Sequence, residues 1–454
     1  MARLPTFRLS YRDSLLRFRE FIDGCSDFGS RIRSHQIFHI IRKGAPLSNR
    51  RYLRLRMIST FVANFILASV SVVSIFRLHF TGQRLSGHFQ IDFGKKTDYR
   101  TVAIAEIIAI NSVVSFFHSG DLWASIRSLG SKVSPIYIES IAQLVFTIVW
   151  PVYLYRTSLR RRGDILSEMI SREIFYGNVY LSVSQFVFRQ TRIERLLVID
   201  DPRNVATLCL AARNLSVRTI GYMHGKFNSF HVGLTVIPFD RYLVWNPYFA
   251  AKIRELWGGS YPGAIHVVGL IRKDVQAWIS KYDTPLSNVL WLEEDETPMD
   301  QMHPYLQAIK NDFRLSIIVR AKPRAGLHTD LAHLGCKMDT TSSFYESVVT
   351  HRPFAVIGCH STALIEAHLF GITPISIKTD LDYGHELIDD KVVLSCDGPE
   401  SLLILLQALI ARPLGGRTLS SCDKFIEPFL PGSVSEVLAK EGFSIVVPSI
   451  AAGL

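Results

Sequence analysis

The sequence FAVIGCHSTALIEAHLFG, residues 354–371, has the pattern of a buried strand that passes through a short turn into a helix. The apolar run before Gly358 is typical of a strand in a parallel sheet, where both faces are covered. The turn contains Gly358, His360, Ser361 and Thr362, which are small or hydrogen-bonding residues. This stretch therefore predicts a strand–turn–helix unit of an α/β fold, with polar groups at the carboxyl end of the strand.

The same alternation of apolar strands and helices extends to both sides of this unit. Upstream it includes RLLVIDD (195–201), VRTIGYMHG (217–225) and NVLWLEE (288–294), and downstream it includes TPISIKT (373–379). Strands that are connected through helices pair in parallel by right-handed crossovers. The sequence therefore predicts an α/β protein with two Rossmann-like domains that face a cleft.

A chain of 454 residues is longer than one ordinary domain. A change of composition near 271–287 marks the predicted connection between the domains. We expect four segments: a basic helical N-terminal segment (1–56), an N-terminal Rossmann-like domain (57–270), a C-terminal Rossmann-like domain (271–415) and a C-terminal helical tail (416–454).

The composition limits the class of protein and its location. The six cysteines form no CxxC pair, which argues against a zinc site or a disulfide framework and favours a reducing cytosol. The N-terminus lacks an apolar signal core, so we expect a cytoplasmic protein. The net charge of +11 fits either solvated basic faces or a peripheral position on the anionic inner membrane surface. Regular aromatic interleaving is missing from the basic runs, so nucleic acid is disfavoured as a partner.

One uncharged stretch of twenty residues, 57–76, has two interpretations. By length it could cross a membrane. Alternatively, its first half forms a helix and its second half, SVSVVSIF (69–76), forms a buried parallel strand.

The turn after Gly358 predicts an anion site. Ser361 and Thr362 lie where the next helix begins, and free amides at a helix N-terminus bind phosphate. Glu366 follows about one turn later, where its carboxylate could bind ribose hydroxyls, and His360 belongs to the same turn. The alternative is that Ser361 or Thr362 only caps the helix.

A second cluster of cations follows another predicted strand. In IIVRAKPRAG (317–326), Arg320, Lys322 and Arg324 surround Pro323. Three cations at the carboxyl end of a strand suit a nucleotide phosphate or a base edge. The alternative is a solvated basic loop.

Two further strand ends carry candidate general bases. Asp200 and Asp201 are adjacent carboxylates, so repulsion can raise the pKa of one of them and make it a base. Asp201 could instead cap the next helix. His224, which precedes Gly225, could deprotonate a sugar hydroxyl near neutral pH or could be structural.

Together these positions resemble the GT-B glycosyltransferases of bacterial capsule and lipopolysaccharide synthesis, including the sialyl- and polysialyltransferases and the teichoic-acid polymer transferases. The resemblance covers about residues 190–410. Ser361 and Thr362 match a Ser-Ser or Ser-Thr pair that binds the nucleotide phosphate in that family. Asp200 and Asp201 resemble the acidic pair that supplies its base.

The match departs from the family pattern at two places. Pro202 replaces the glycine of the acidic motif, and Lys322 with Pro323 stands where a His-Pro pair would be, which puts a CMP-linked donor in question. His224 and Gly225 are similar to the His-Gly pair of the polymer transferases, whose histidine is the base.

The resemblance implies a donor-binding C-terminal domain and an acceptor-binding N-terminal domain. In the paired-glutamate motif of retaining enzymes, Glu366 would be the second member, but Gly358 occupies the first position. The missing first glutamate favours inversion by direct displacement with a base, or a branch of the family without that pair. No DxD motif follows a suitable strand, so we expect a metal-independent reaction with no cofactor, in which the helix dipole and cations stabilise the leaving nucleotide. We predict a glycosyltransferase that moves a sugar from a nucleotide sugar to a surface polysaccharide or glycolipid. The alternatives are a nucleotide-sugar epimerase of the same fold and a non-catalytic polysaccharide-assembly protein.

Overall fold

Parallel sheets form the framework of the protein. The computed structural model describes residues 10–25, 33–43, 50–81, 85–90, 92–93, 96–97, 99–108, 113–117, 136–158, 165–200, 204–270, 275–283, 285–293, 299–312, 315–321, 335–380, 382–411 and 431–445. The strands are Leu85–Gln90 (β1), Asp92–Phe93 (β2), Lys96–Thr97 (β3), Val113–Phe117 (β4), Ile193–Ile199 (β5), Arg218–Tyr222 (β6), Arg241–Val244 (β7), Ala264–Val267 (β8), Asn288–Glu293 (β9), Ser316–Ala321 (β10), Lys337–Met338 (β11), Ala355–Gly358 (β12), Thr373–Ile377 (β13) and Leu394–Cys396 (β14).

Helices connect these strands and extend the chain at both ends. They are Tyr11–Asp23 (α1), Ser34–Lys43 (α2), Arg50–Thr81 (α3), Tyr99–Ile107 (α4), Ile138–Ser158 (α5), Ile165–Thr191 (α6), Val205–Arg213 (α7), Pro247–Leu256 (α8), Val275–Lys281 (α9), Met299–Asn311 (α10), Phe344–His351 (α11), Thr362–Glu366 (α12), His385–Asp389 (α13), Pro399–Ala411 (α14) and Pro431–Lys440 (α15).

The first sheet has the strand order β4-β1-β5-β6-β7-β8 among the described residues, and every pair in it is parallel. The register pairs Ile199 with Tyr222 and Val244 with Val267, so the last residues of these strands lie along one edge. Strands β5 and β6 are buried along most of their length, as their continuous apolar sequences require.

The second sheet has the order β11-β10-β9-β12-β13-β14 over the described part of the chain and is also parallel. Gly358 at the end of β12 pairs with Ser376, close to the end of β13. Residues from both sheets belong to one continuous apolar core, which includes Leu197, Val356 and Leu364. The predicted fold class, α/β with two Rossmann-like parallel sheets that face a cleft, is confirmed.

The strand predicted at SVSVVSIF (69–76) is wrong, because these residues lie in the middle of α3. The buried hydroxyls of Ser71 and Ser74 are satisfied within α3, because they donate to the carbonyls of Leu67 at 2.7 Å and Val70 at 3.0 Å, one turn earlier. Among the described residues, the first strand of this sheet along the chain is β1. It begins in a polar, glycine-containing stretch whose composition is typical of a loop.

Helix α3 also contains Phe61–Phe80, which is long and apolar enough to cross a membrane by length and composition, and 33% of this stretch is buried in the protein. The predicted segment boundary between 56 and 57 falls inside this continuous helix. The predicted connection at 271–287 contains α9.

The C-terminal helix α15 returns to the first sheet. Glu441, which is buried, accepts hydrogen bonds from Arg218 of β6 at 2.9 Å and from Arg241 of β7 at 2.7 Å. Burial by itself favours the protonated acid, but the hydrogen bonds from these two arginines outweigh it, so the pKa of Glu441 lies below its ordinary value. The carboxylate therefore ties the tail to the sheet in its ionised form.

We predict that Glu441→Gln lowers the free energy of unfolding at neutral pH by about 1–2 kcal/mol, because water still reaches the Arg218 side of the pair. A depressed native pKa stabilises the fold above the unfolded pKa, and this stabilisation is lost as the pH falls through the lower native value. The free energy of unfolding, measured with urea, should therefore decrease less for Glu441→Gln than for the wild type when the pH is lowered from 6 into the acid range.

The matched control is Glu436→Gln, because Glu436 lies on α15, five residues before Glu441, and pairs with Lys440 in solvent. It should leave the urea midpoint unchanged. Equal effects of the two substitutions would show that the ion pairs of Glu441 do not hold the tail.

Candidate functional site

The carboxyl edges of the two sheets meet at one place. Strand β6 ends at Tyr222 and leads to His224 and Gly225, while β12 ends at Gly358 and leads to Thr362. A Cβ atom on Gly225 would lie 3.5 Å from Oγ1 of Thr362. Two motifs that are 137 residues apart in the sequence, one from each sheet, therefore face each other across the same gap.

The turn after β12 is fixed from behind by the core. Cys359 is buried, and its carbonyl accepts a hydrogen bond from the Ser376 hydroxyl at 2.8 Å. Its Sγ lies 3.4 Å from the Met302 sulfur. The small residue at 359 therefore serves packing, which the sequence alone did not distinguish from a role in binding.

Ser361 is the N-cap of α12, and its hydroxyl accepts a hydrogen bond from the Ala363 amide at 3.2 Å. Helix α12 is one turn long and continues as a 3₁₀ turn over Ala367–Phe370. Capping is thus observed for Ser361, while the binding of a phosphate by Ser361 and Thr362 stays a prediction. Glu366, at the end of α12, is half-buried, and its predicted contact with ribose is likewise a prediction.

An aromatic side chain stands beside this turn. The rings of His360 and Tyr383 make an edge-to-face contact with centroids 5.3 Å apart, and Nζ of Lys226 lies 4.9 Å from the centroid of the Tyr383 ring. Lys226 follows the His224-Gly225 pair, so Tyr383 connects both predicted motifs.

Asp200 is buried and binds its neighbours through both carboxylate oxygens. One oxygen accepts a hydrogen bond from the backbone amide of His224 and the other from the hydroxyl of Tyr242. Burial, reinforced by the negative charge of Asp200, raises the pKa of Tyr242 well above its ordinary value, so its hydroxyl stays a donor. Asp200 therefore positions the backbone at His224.

Arg320, the cation predicted to bind phosphate at the end of β10, forms an ion pair with the buried carboxylate of Asp339 and donates to Oγ1 of Thr341 at 3.0 Å. His351 lies 3.0 Å from the other oxygen of Asp339. These contacts give Arg320 a role in fixing the segment after β11. Its phosphate contact stays a prediction.

Three of the predicted site residues, Asp201, Lys322 and Arg324, lie outside the described residues. Among the residues that the structure does describe, no group of three or more His, Cys, Asp or Glu side chains is arranged to hold a metal ion. The expectation of a metal-independent reaction without a cofactor stays a prediction.

Sequence reasoning missed a set of contacts that join the two sheet edges. The segment after β6 contacts the segment after β13: Asn228 donates to the carbonyl of Tyr383 at 2.8 Å, and the amide of Ser229 donates to Glu386 at 3.0 Å. Glu386 also lies 3.3 Å from Nζ of Lys252. The stretch DYGHE (382–386) follows a strand end and is as rich in polar residues as the turn after β12, which is the signal that could have identified it.

His231 completes this junction as a neutral side chain. Its Nε2 lies 3.1 Å from the Tyr383 hydroxyl. Burial, together with the charge of Lys226, lowers the pKa of His231 to about 3, so it carries no charge at neutral pH. The junction is therefore held by neutral hydrogen bonds next to the pair Glu386 and Lys252.

Comparison with known proteins was made by sequence and by structure. No protein-family model matches the chain, and no curated protein matches it. Among solved structures, a MurG from Acinetobacter baumannii gives a TM-score of 0.48 at 11% identity, covering 79% of this chain and 100% of that chain.

A UDP-GlcNAc 2-epimerase from Methanocaldococcus jannaschii, in complex with UDP-GlcNAc and UDP, gives 0.44 at 11% identity, with 79% and 99% covered. A UDP-glucosyltransferase from Polygonum tinctorium gives 0.48 at 8% identity, again with 79% and 99% covered. Likenesses at this level assign no activity to the chain.

Gly384 gives a direct test of the packing at the site. A Cβ atom there would lie 2.3 Å from the backbone oxygen of Cys359 and 3.2 Å from Cβ of His360, so the turn after β12 would have to shift. We expect Gly384→Ala to lower the free energy of unfolding by about 1–3 kcal/mol, as measured by urea unfolding.

Gly398→Ala is the matched control, because a Cβ atom at Gly398 meets nothing within 4 Å. It should be neutral or slightly stabilising. If Gly384→Ala were equally neutral, the close approach between the two segments would be wrong.

Proposed function

We propose that the protein is a glycosyltransferase that moves a sugar from a nucleotide-activated donor to a surface-polysaccharide or glycolipid acceptor. The observation that carries this proposal is the approach of Gly225 to Thr362, which brings a histidine at one sheet edge to a hydroxyl-rich helix start at the other. Open α/β sheets bind their ligands at the carboxyl ends of their strands. A donor held by one sheet and an acceptor held by the other would meet there.

The donor is assigned to the second sheet. The backbone at Gly358 allows close approach, and the hydroxyl of Thr362 with the amides that begin α12 would bind the phosphate. Gly225 of the first sheet faces Thr362, and a Cβ atom on Gly225 would lie 3.5 Å from the Oγ1 of Thr362. His360 makes an edge-to-face contact with Tyr383 beside this turn, and Glu366 would hold the ribose. The sequence further predicts that three cations contribute to phosphate binding: Arg320, Lys322 and Arg324.

The base is assigned to His224. Asp200 already accepts hydrogen bonds at both carboxylate oxygens, one of them from the His224 amide, so its observed role is to orient the residue that would take the proton. Asp201 is the remaining alternative, from the acidic pair of the sequence.

The proposed step is a direct displacement. The acceptor hydroxyl attacks the anomeric carbon, its proton passes to His224, and the bond between that carbon and the phosphate oxygen breaks. The charge that develops on the leaving nucleotide would be stabilised by the helix start at Ser361 and Thr362. A single displacement of this kind inverts the configuration at the anomeric carbon, and the proposed step uses no metal ion.

One prediction of the proposed function concerns the donor nucleotide. In a thermal-shift screen with CMP, UDP, GDP and CDP, one nucleotide should raise the melting temperature, because a ligand that binds only the native state stabilises it by mass action. At a hundred times its dissociation constant, the gain is about 2.7 kcal/mol. No shift with any of the four would contradict the proposal.

A matched pair of cap variants separates binding from capping. Ser343 is the N-cap of α11 and accepts from the Glu346 amide at 3.2 Å, as Ser361 does for Ala363. Ser361→Ala and Ser343→Ala should both cost about 1 kcal/mol of stability. Only Ser361→Ala, alone or with Thr362→Ala, should weaken the binding of the nucleotide. If the Ser361→Ala and Ser343→Ala proteins bound the nucleotide equally well, Ser361 would have a role only as a helix cap.

Another prediction of the proposed function concerns the general base. With the matching nucleotide sugar and a membrane lipid extract as acceptor, His224→Ala should lower the rate of sugar transfer by about 10²–10⁴ fold, without a change in nucleotide affinity. His266→Ala serves as control, since His266 lies within β8 of the same sheet.

Full transfer by His224→Ala together with loss of transfer by Asp201→Asn would move the base to Asp201. Interconversion of nucleotide sugars without any transfer would instead identify an epimerase. Either outcome overturns the assignment of His224 as the base of a glycosyl transfer.

A further inference from the structure

Helix α3 exposes an apolar stripe to solvent. Phe61, Phe65, Phe76 and Phe80 are among its exposed side chains, and Phe80 is 82% exposed. Residues at intervals of about four lie on one face of a helix. Most amphipathic surface helices turn their polar face to water, whereas α3 presents large aromatic side chains.

Helix α5 continues this exposed apolar surface. It packs antiparallel to α3: the Nδ2 of Asn64 donates to the Oε1 of Gln143 at 2.6 Å, and the backbone amide of Tyr137 donates to Ser71 at 2.8 Å. Ile148 is 62% exposed, although it is apolar and lies in the middle of the helix. The exposed apolar residues of these two packed helices are called the apolar surface below, and it is defined by Phe61, Phe65, Phe76, Phe80, Ile148 and Val152.

A helix that crossed a bilayer alone would meet lipid on all sides. Leu67 and Ile75, on the other side of α3, are buried in the protein, and Phe146 on α5 packs against Tyr176 of α6 with ring centroids 5.3 Å apart. One side of this helical layer is therefore already committed to the protein. The other side exposes large apolar side chains, and an exposed apolar patch of this kind marks a surface that contacts a membrane or another protein.

The charge of α3 favours an anionic surface. Its first two turns contain Arg50, Arg51, Arg54 and Arg56, and the sequence has no acidic residue from Arg50 to Ile91. Arginines at one end of an apolar helix face are the pattern that binds acidic lipid headgroups. A second copy of the chain, which has a net charge of +11, would bring the same positive charge to this surface.

We propose that the apolar surface of α3 and α5 docks on an anionic lipid bilayer, with the exposed phenylalanines and Ile148 in the acyl boundary, and that the arginine-rich sequence at the start of α3 adds electrostatic attraction to acidic lipids. Docking is independent of the chemistry in the cleft. It would bring the first sheet, which carries His224, next to acceptors that are anchored in the membrane.

Vesicle flotation with the full chain tests the docking. The protein should float with vesicles of phosphatidylglycerol and phosphatidylethanolamine, and float less with vesicles of phosphatidylcholine. The triple variant Phe65→Ser, Phe76→Ser, Ile148→Ser should bind the anionic vesicles at least about tenfold more weakly. Substitution of Arg54 and Arg56 by Gln should cost about fivefold for each arginine.

Ile404→Ser is the matched control, because Ile404 is 69% exposed on α14, away from α3 and α5. It should float like the wild type. Equal flotation of the triple variant and the wild type, or no flotation of the wild type, would overturn the proposal. A third outcome would also overturn it: the wild type sediments as a dimer and binds no vesicles, and the triple variant sediments as a monomer. The apolar surface would then be an interface with a second copy of the chain.

A measurement on the unmodified surface guards against a variant that fails to fold. Trp150 on α5 stacks with Phe146 and Tyr153 beside the apolar surface. Vesicles with brominated acyl chains should quench the wild type more than Trp150→Phe, because the quenched component belongs to Trp150. Equal quenching of the two proteins would contradict insertion at this surface.

Discussion

The contact between the carboxyl edges of the two parallel sheets is the constraint on which the site depends. Gly225 approaches Thr362, and Gly384 leaves no room for a side chain against the Cys359 carbonyl. The contact at Gly384 requires glycine, because a Cβ atom there would lie 2.3 Å from the Cys359 carbonyl oxygen, whereas a Cβ atom at Gly225 would make an ordinary van der Waals contact with Thr362. The parallel order of each sheet places every strand end at this edge, so the loops that follow the strands must share it.

Buried and half-buried polar groups hold this junction in one arrangement. Asp200 fixes the backbone at His224, while Tyr383 contacts His360, Lys226 and His231. The N-terminus joins the same cluster, since both carboxylate oxygens of Asp382 accept from the first amides of α1, at 2.9 and 2.8 Å. A carboxylate at the start of a helix is favoured by the helix dipole. The first helix of the chain is thus tied to the second sheet.

The sequence predicted what depends on local pattern. Continuous apolar strands such as β5 and β12, with small polar residues after them, gave the fold class and the position of Ser361 and His224. The pattern failed at SVSVVSIF, since Ser, Val and Ile suit a buried strand, and only packing against α5 and α6 shows that the segment is helical. Tyr383 and Glu386 were missed for another reason: the polar stretch after β13 marks them locally, but their partners Asn228 and Ser229 are about 155 residues away, and the sequence does not indicate that pairing.

The central claim is that the gap between these edges holds the nucleotide of a donor sugar. A crystal structure of the chain with the stabilising nucleotide bound tests it most directly. The account predicts a phosphate within hydrogen-bond distance of Thr362 and the amides that begin α12, with Gly225 facing it. A nucleotide bound elsewhere, with the space in front of Thr362 empty, would contradict it.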